Sequence, residues 1–165
     1  MEKWQIYVRE AVRQLEFARS SFEAFEQASV GGNTAQVFSS VHHFLVHLAN
    51  VGKLLRPKNA PVRVALLAGH VDLSAFDFKP LTDLRNDLEH FDTRLDKWVA
   101  DHHGETFFDM NIVTGAKGFP KKAYLRALDG DTFKFYGKDY PLRPLLELTN
   151  SLHGHLLAGL KAKGE

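Results

Sequence analysis

Apolar residues recur at helical spacing in two long segments at the start of the chain. From Trp4 to Phe25 they fall every three or four positions, with charged and amide side chains between them, which predicts a long amphipathic helix. Val30-Gly31-Gly32 is typical of a helix end. Asn33 is suited to cap a second helix that ends at Arg56-Pro57. We expect the two helices to pair as an antiparallel hairpin.

The pattern of apolar positions changes in the second half of the chain. A short helical piece is expected around Val64 to Ala68, and Pro80 fits the first turn of a third helix. From Gly104 to Tyr140 apolar and polar residues alternate, which predicts three short strands. The last two are expected to be joined by an Asp129-Gly130 turn. The strands are expected at 106–113, 123–128 and 132–136. A fourth amphipathic helix is expected from about 141 to 162.

These elements predict a mainly α fold, with a single domain over residues 1–165. The long helices cover 4–56, 80–99 and 141–162, and four amphipathic helices in a domain of this size most simply form an up-and-down bundle. The strands then make a small antiparallel β insert, at about 105–140, between helices three and four.

Composition narrows the class of protein. The chain is 44% hydrophobic and 25% charged, with 21 Lys and Arg against 20 Asp and Glu, which suits an ordinary globular domain. Cysteine is absent, so disulfides, thiolate metal sites and a cysteine nucleophile are excluded. A net charge of +1 does not favour a uniformly basic surface. The longest nearly apolar stretch, Val64 to Leu73, is too short to span a bilayer, and we expect a cytoplasmic protein with no membrane association.

The third helix carries the most informative group of polar residues. At 100° per residue, Leu84, Leu88 and Leu95 define a buried side. The opposite side and its flanks carry Arg85, Asn86, Glu89, His90, Thr93 and Lys97. One interpretation is a solvated face with i,i+4 contacts, each worth about 0.2–0.5 kcal/mol. The other is a functional site that points away from the protein's own core.

Arg85, Asn86 and His90 resemble the signature of the HEPN superfamily (higher eukaryotes and prokaryotes nucleotide-binding), an Arg and a His separated by four to six residues, often with a polar residue after the Arg. The bundle order is similar too, although the strand insert has no counterpart in the minimal family fold. The resemblance implies RNA cleavage without metal or cofactor, at a composite site formed by two such helices across a homodimer. It also implies a toxin or defence role, with an antitoxin protein as a further partner.

These three residues suit that chemistry. A histidine with an ordinary pKa near 6.5 can take the 2′-hydroxyl proton or protonate the 5′-oxygen, which is the role expected of His90. Arg85 can clamp the scissile phosphate, and Asn86 can orient the imidazole or bind phosphate. Asp92 stands where one subset of the family has a Tyr that accepts nucleotide modification, so that regulation is not expected. The alternative is a catalytically inactive HEPN-like module that binds nucleotide, RNA or a protein partner.

Other polar groups are candidates for substrate binding. Lys97 shares the face of His90, and His43 and His47 lie four apart on the second helix. Two histidines at this spacing can chelate a metal, but no third ligand accompanies them, so we expect no metal site and favour a polar seam beside the core. That seam can instead line a groove next to the third helix. A basic and aromatic group near 117–136 is a further candidate for guiding single-stranded RNA.

Overall fold

The protein is described by a computed structural model that covers residues 2–102, 104, 108–115 and 123–162. These residues form six helices and one four-stranded sheet. The helices are α1 (Lys3–Val30), α2 (Thr34–Leu55), α3 (Pro61–Ala68), α4 (Lys79–Glu89), α5 (Phe91–Ala100) and α6 (Leu142–Ala162). The strands are β1 (Phe108–Val113), β2 (Tyr124–Asp129), β3 (Thr132–Phe135) and β4 (Lys138–Pro141).

The hairpin of α1 and α2 is confirmed, and local signals explain its ends. Gly32 adopts φ 68° between the two helices, a conformation that suits glycine. The Asn33 side chain accepts a hydrogen bond from the Gln36 amide at 3.1 Å and so caps α2. Along α2, Gly52 faces α4 so closely that an added Cβ would lie 3.2 Å from the Cβ of Leu81. This close approach places α4 beside the C-terminal half of α2.

The predicted continuous third helix over 80–99 is wrong, because the chain leaves helical geometry at His90 and divides into α4 and α5. His90 has φ −108° and ψ 33°. The physical cause lies in packing on both sides of the break. Leu84 of α4 is fully buried in the core, whereas the Phe91 ring lies 6.4 Å from Phe135 of the sheet. A helix that ran straight on would not direct both side chains to these surfaces.

The predicted antiparallel insert is also wrong, because the sheet is mixed and has a fourth strand. Its order is β1-β2-β3-β4, with β1 parallel to β2 and the other two pairs antiparallel. The turn after Asp129 is confirmed, with Gly130 at φ 58°. The missed strand β4 follows a two-residue loop, Tyr136-Gly137, in which both residues have positive φ. That geometry is typical of a tight hairpin turn.

The simple four-helix bundle is therefore contradicted: the sheet follows the fifth helix and takes part in the core. Helix α1 packs against α2 and α6, while α2 also packs against α4 and β1. Phe38 of α2 and Phe133 of β3 lie 6.3 Å apart, which joins the helical layer to the sheet. Among the described helices, none has the length and apolar character needed to cross a membrane.

Candidate functional site

A groove of about 410 Å³ lies where the C-terminal end of α2, the following turn, α3 and α4 meet. Four cationic side chains and one carboxylate line it, so its charge is strongly positive although the whole chain is almost neutral. We call it the basic groove; its described lining residues are Lys53, Pro57, Lys58, Asn59, Ala60, Arg63, Arg85 and Glu89.

Local packing holds Arg63 in this groove. Its guanidinium donates to the backbone oxygen of Lys53 at 3.2 Å, and the same group lies over the Tyr7 ring, 4.7 Å from the centroid. Pro57 ends α2, and Pro61 begins α3 after a short turn. The turn therefore brings a second helix, with its arginine, back against the end of the first.

Arg85 and Lys53 share the single carboxylate of the described groove lining. Lys53 Nζ lies 2.9 Å from Glu89 Oε1, and Arg85 Nε lies 3.4 Å from Glu89 Oε2. The Lys53 hydrogen bond is the main cause of a lowered pKa at Glu89, and the charges of Arg85 and His90 act in the same direction. Glu89 is therefore ionised at neutral pH and is the counter-ion of the groove.

The Arg85 side chain is more deeply set than the sequence predicted. It is only 14% exposed, so it does not point freely into solvent with the rest of the polar face. Its Nε is buried and makes no hydrogen bond among the described residues, although it lies at ion-pair distance from Glu89. Its terminal nitrogen lies 3.5 Å from Asn86 Oδ1. The guanidinium is therefore held between Glu89 and Asn86.

His90 lies at the break between α4 and α5, directly after Glu89 of the groove. It is exposed, and its backbone amide donates to the carbonyl of Asn86 at 3.2 Å. The predicted Asn86–His90 contact is therefore a backbone contact, while the Asn86 side chain lies beside Arg85. Within the described residues, the His90 imidazole has no hydrogen-bond partner.

Sequence reasoning missed Asp87, whose side chain is 1% exposed. It accepts hydrogen bonds from Lys138 Nζ at 2.8 Å to each oxygen and from the hydroxyl of Tyr140, and Arg94 Nη2 lies 2.6 Å away. Burial and this hydrogen bond raise the pKa of Tyr140 well above its usual value. The cluster ties α4, α5 and β4 together next to His90. The sequence did contain a signal for the burial of Asp87. It follows Leu84 by three positions, so both residues lie on the buried side of the helix.

The structure does not bring the other predicted binding residues to the basic groove. His47 Nδ1 lies 2.8 Å from Gln14 Oε1, which also accepts from Asn50, so this flank of α2 is a polar seam against α1. Burial, followed by the charge of His43, lowers the pKa of His47. His43 is exposed on α2 and Lys97 is exposed on α5, and neither lines the groove. The described residues contain no group of three side chains that could hold a metal.

Part of the predicted basic and aromatic group lies outside the described residues, namely Lys117, Phe119, Lys121 and Lys122. Its described arginine, Arg126, is paired with Asp109 through two hydrogen bonds of 2.8 and 2.6 Å. The group therefore contributes no unpaired cation to the described surface.

No family model, curated protein or solved structure matches the chain. The HEPN resemblance therefore rests on the sequence spacing of Arg85, Asn86 and His90.

Proposed function

We propose that the protein is a metal-independent endoribonuclease of HEPN type, with Arg85, Asn86 and His90 at a site completed by a second copy of the chain. The observation that supports it best is the position of Arg85 inside a groove of four cations, with His90 next to the groove's only described carboxylate. The proposal includes a cytoplasmic location and a toxin or defence role, with an antitoxin protein as partner.

The basic groove suits a phosphodiester. Lys53 and Arg85 both face Glu89, so phosphate oxygens can replace its carboxylate as their partner. Charge-assisted hydrogen bonds to phosphate are strong, and arginine can make two of them in parallel.

The reaction needs only proton transfers. The ribose 2′-oxygen attacks the adjacent phosphorus, a 2′-oxygen–phosphorus bond forms, and the bond from phosphorus to the 5′-oxygen breaks. One His90 takes the 2′-hydroxyl proton, and the protonated imidazole of the other copy gives a proton to the 5′-oxygen. Arg85 stabilises the charge that grows on the non-bridging oxygens. The products carry a 2′,3′-cyclic phosphate and a 5′-hydroxyl.

The first test is cleavage of single-stranded RNA by the purified protein in the presence of EDTA. We expect cleavage to continue, with cyclic phosphate ends identified by mass spectrometry. A DNA strand of the same sequence should stay intact, because it lacks the attacking hydroxyl. Cleavage of the DNA, or products that end in a 3′-hydroxyl, would contradict the mechanism.

The second test concerns assembly. The composite site needs two His90 side chains, and each chain supplies one, which is exposed at the α4–α5 break. The site therefore requires a homodimer in which the two breaks face each other. We expect a dimer at neutral pH. Sedimentation velocity measures this directly. A monomer at every concentration at neutral pH would remove the composite site.

A catalytically inactive binding module is the second candidate. Glu89 favours it, because its carboxylate already occupies the groove and pairs with both Lys53 and Arg85. Such a module would bind RNA, nucleotide or a protein partner through the same surface without cleaving it. Binding with no cleavage in the first test would select this candidate.

A further inference from the structure

A second cleft, of about 560 Å³, opens between α2, the α4–α5 break and the sheet. Its volume falls within the range of small-molecule sites. We call it the apolar cleft; its described lining residues are Ala35, Phe38, Ser39, His42, Val46, Leu88, Phe91, Met110, Arg126, Phe133 and Phe135.

Four phenylalanines dominate the lining of the apolar cleft. Three of them are at most 5% exposed, whereas Phe91 is 38% exposed. Phe91 is the first residue of α5, a helix with no fully buried side chain. Its ring lies 6.4 Å from Phe135 and 6.0 Å from Tyr136. Phe91 therefore presents a partly exposed aromatic ring to the cleft.

The polar groups of the cleft carry little net charge. Arg126 is neutralised by Asp109, which uses two of its five guanidinium N–H groups. Burial, followed by the charges of His43 and Arg126, lowers the pKa of His42, so its imidazole is uncharged at neutral pH. Ser39, His42 and Arg126 therefore offer hydrogen bonds to a neutral ligand rather than a site for phosphate.

The two cavities are neighbours along the seam between α2 and α4. Leu88 lines the apolar cleft and Glu89, the next residue, lines the basic groove. On α2, Val46 lines the apolar cleft, and Lys53, two helical turns further along, lines the basic groove. Along the chain, His90 lies between Glu89 of the basic groove and Phe91 of the apolar cleft.

We propose that the apolar cleft binds an unstacked nucleobase of the strand whose phosphate occupies the basic groove. This inference rests on the proposed function and adds its substrate class, single-stranded RNA with a base at the cleaved position. Stacking on Phe91 would hold the ring, and Ser39, His42 and Arg126 would meet its polar edge. A saturated acyl chain fits less well, because it could accept no hydrogen bond from Ser39, His42 or the N–H groups of Arg126 that Asp109 does not use.

The test compares two single-stranded DNA probes of equal length and charge, one with bases and one abasic throughout. Neither has a 2′-hydroxyl, so binding is measured without cleavage. We expect the full-length protein to bind the base-bearing probe roughly tenfold more tightly by fluorescence anisotropy, as one base–aromatic stack provides.

Two variants connect this preference to the cleft. Phe91→Ala is expected to remove the tenfold preference while leaving affinity for the abasic probe unchanged. Ala35→Phe, at an exposed position of the lining, should fill the cleft and have the same effect. The matched control is Phe17→Ala, because Phe17 is a phenylalanine of α1 that is 45% exposed and does not line the cleft. It should keep the preference.

The outcomes separate this inference from the proposed function. Equal binding of both probes by the wild type, or a preference that survives both cleft variants, overturns the base site and leaves the basic groove in place. A base preference without RNA cleavage keeps the base site and overturns the nuclease. Failure to bind either probe overturns the base site, and the nuclease is then decided by RNA cleavage in EDTA.

Discussion

Replacing His90 by alanine is expected to slow RNA cleavage by about 10²–10⁴-fold, the usual loss when a general acid–base group is removed. The imidazole has no hydrogen-bond partner within the described chain, and the residue's contacts with α4 and α5 are made by its backbone. The variant should therefore fold normally and still bind RNA. The measurement is the initial rate of cleavage of a labelled single strand in EDTA.

His43→Ala is the matched control for this experiment. Both histidines are exposed, but the structure places His43 on α2, outside the lining of the basic groove. Its loss should leave the cleavage rate unchanged. If His90→Ala cleaves as fast as His43→Ala, with circular dichroism showing both folded, His90 has no part in the chemistry.

Local patterns predicted the parts of the fold that local interactions determine. The ends of α1 and α2 follow from the glycines after Val30, the Asn33 cap and Pro57, all within a few residues of the boundary. The break at His90 has no comparable signal, because it depends on Phe91 meeting the sheet. The direction of β1 was equally hidden, since alternation of apolar positions is the same in parallel and antiparallel strands.

In the candidate site too, local sequence identified some residues, and others come together only through tertiary packing. The spacing of Arg85 and His90 within one segment of sequence identified them as a pair. Lys53, Lys58 and Arg63 were missed because they lie more than twenty positions before Arg85 and join it only through the packing of α2 and α3 against their neighbours. For His47 the structure agrees with the favoured polar seam, which lies against α1, but spacing alone did not show which neighbouring helix covers that side of α2.

Asp87 is the residue whose removal should cost the most stability. Its carboxylate meets Arg94 across the break at His90, and Lys138 and Tyr140 of β4 reach it from the sheet. Removing one partner of a buried ion pair typically costs 3–5 kcal/mol, because the remaining charge is left buried without compensation. Here Arg94 and Lys138 are 33% and 49% exposed, so water can solvate them in part.

We therefore expect Asp87→Ala to lower the free energy of unfolding by about 3 kcal/mol, at the lower end of that range. Urea denaturation at neutral pH measures it. The control is Asp83→Ala, one turn earlier on α4. Its partner Lys79 is largely exposed, so loss of this ion pair should lower the free energy of unfolding much less. Equal losses for the two variants would mean that Asp87 does not hold the break together.

Asp87→Asn retains the shape of the side chain and two hydrogen-bond acceptor sites. If charge and hydrogen bonding both contribute, its free energy of unfolding should lie between that of Asp87→Ala and that of the wild type.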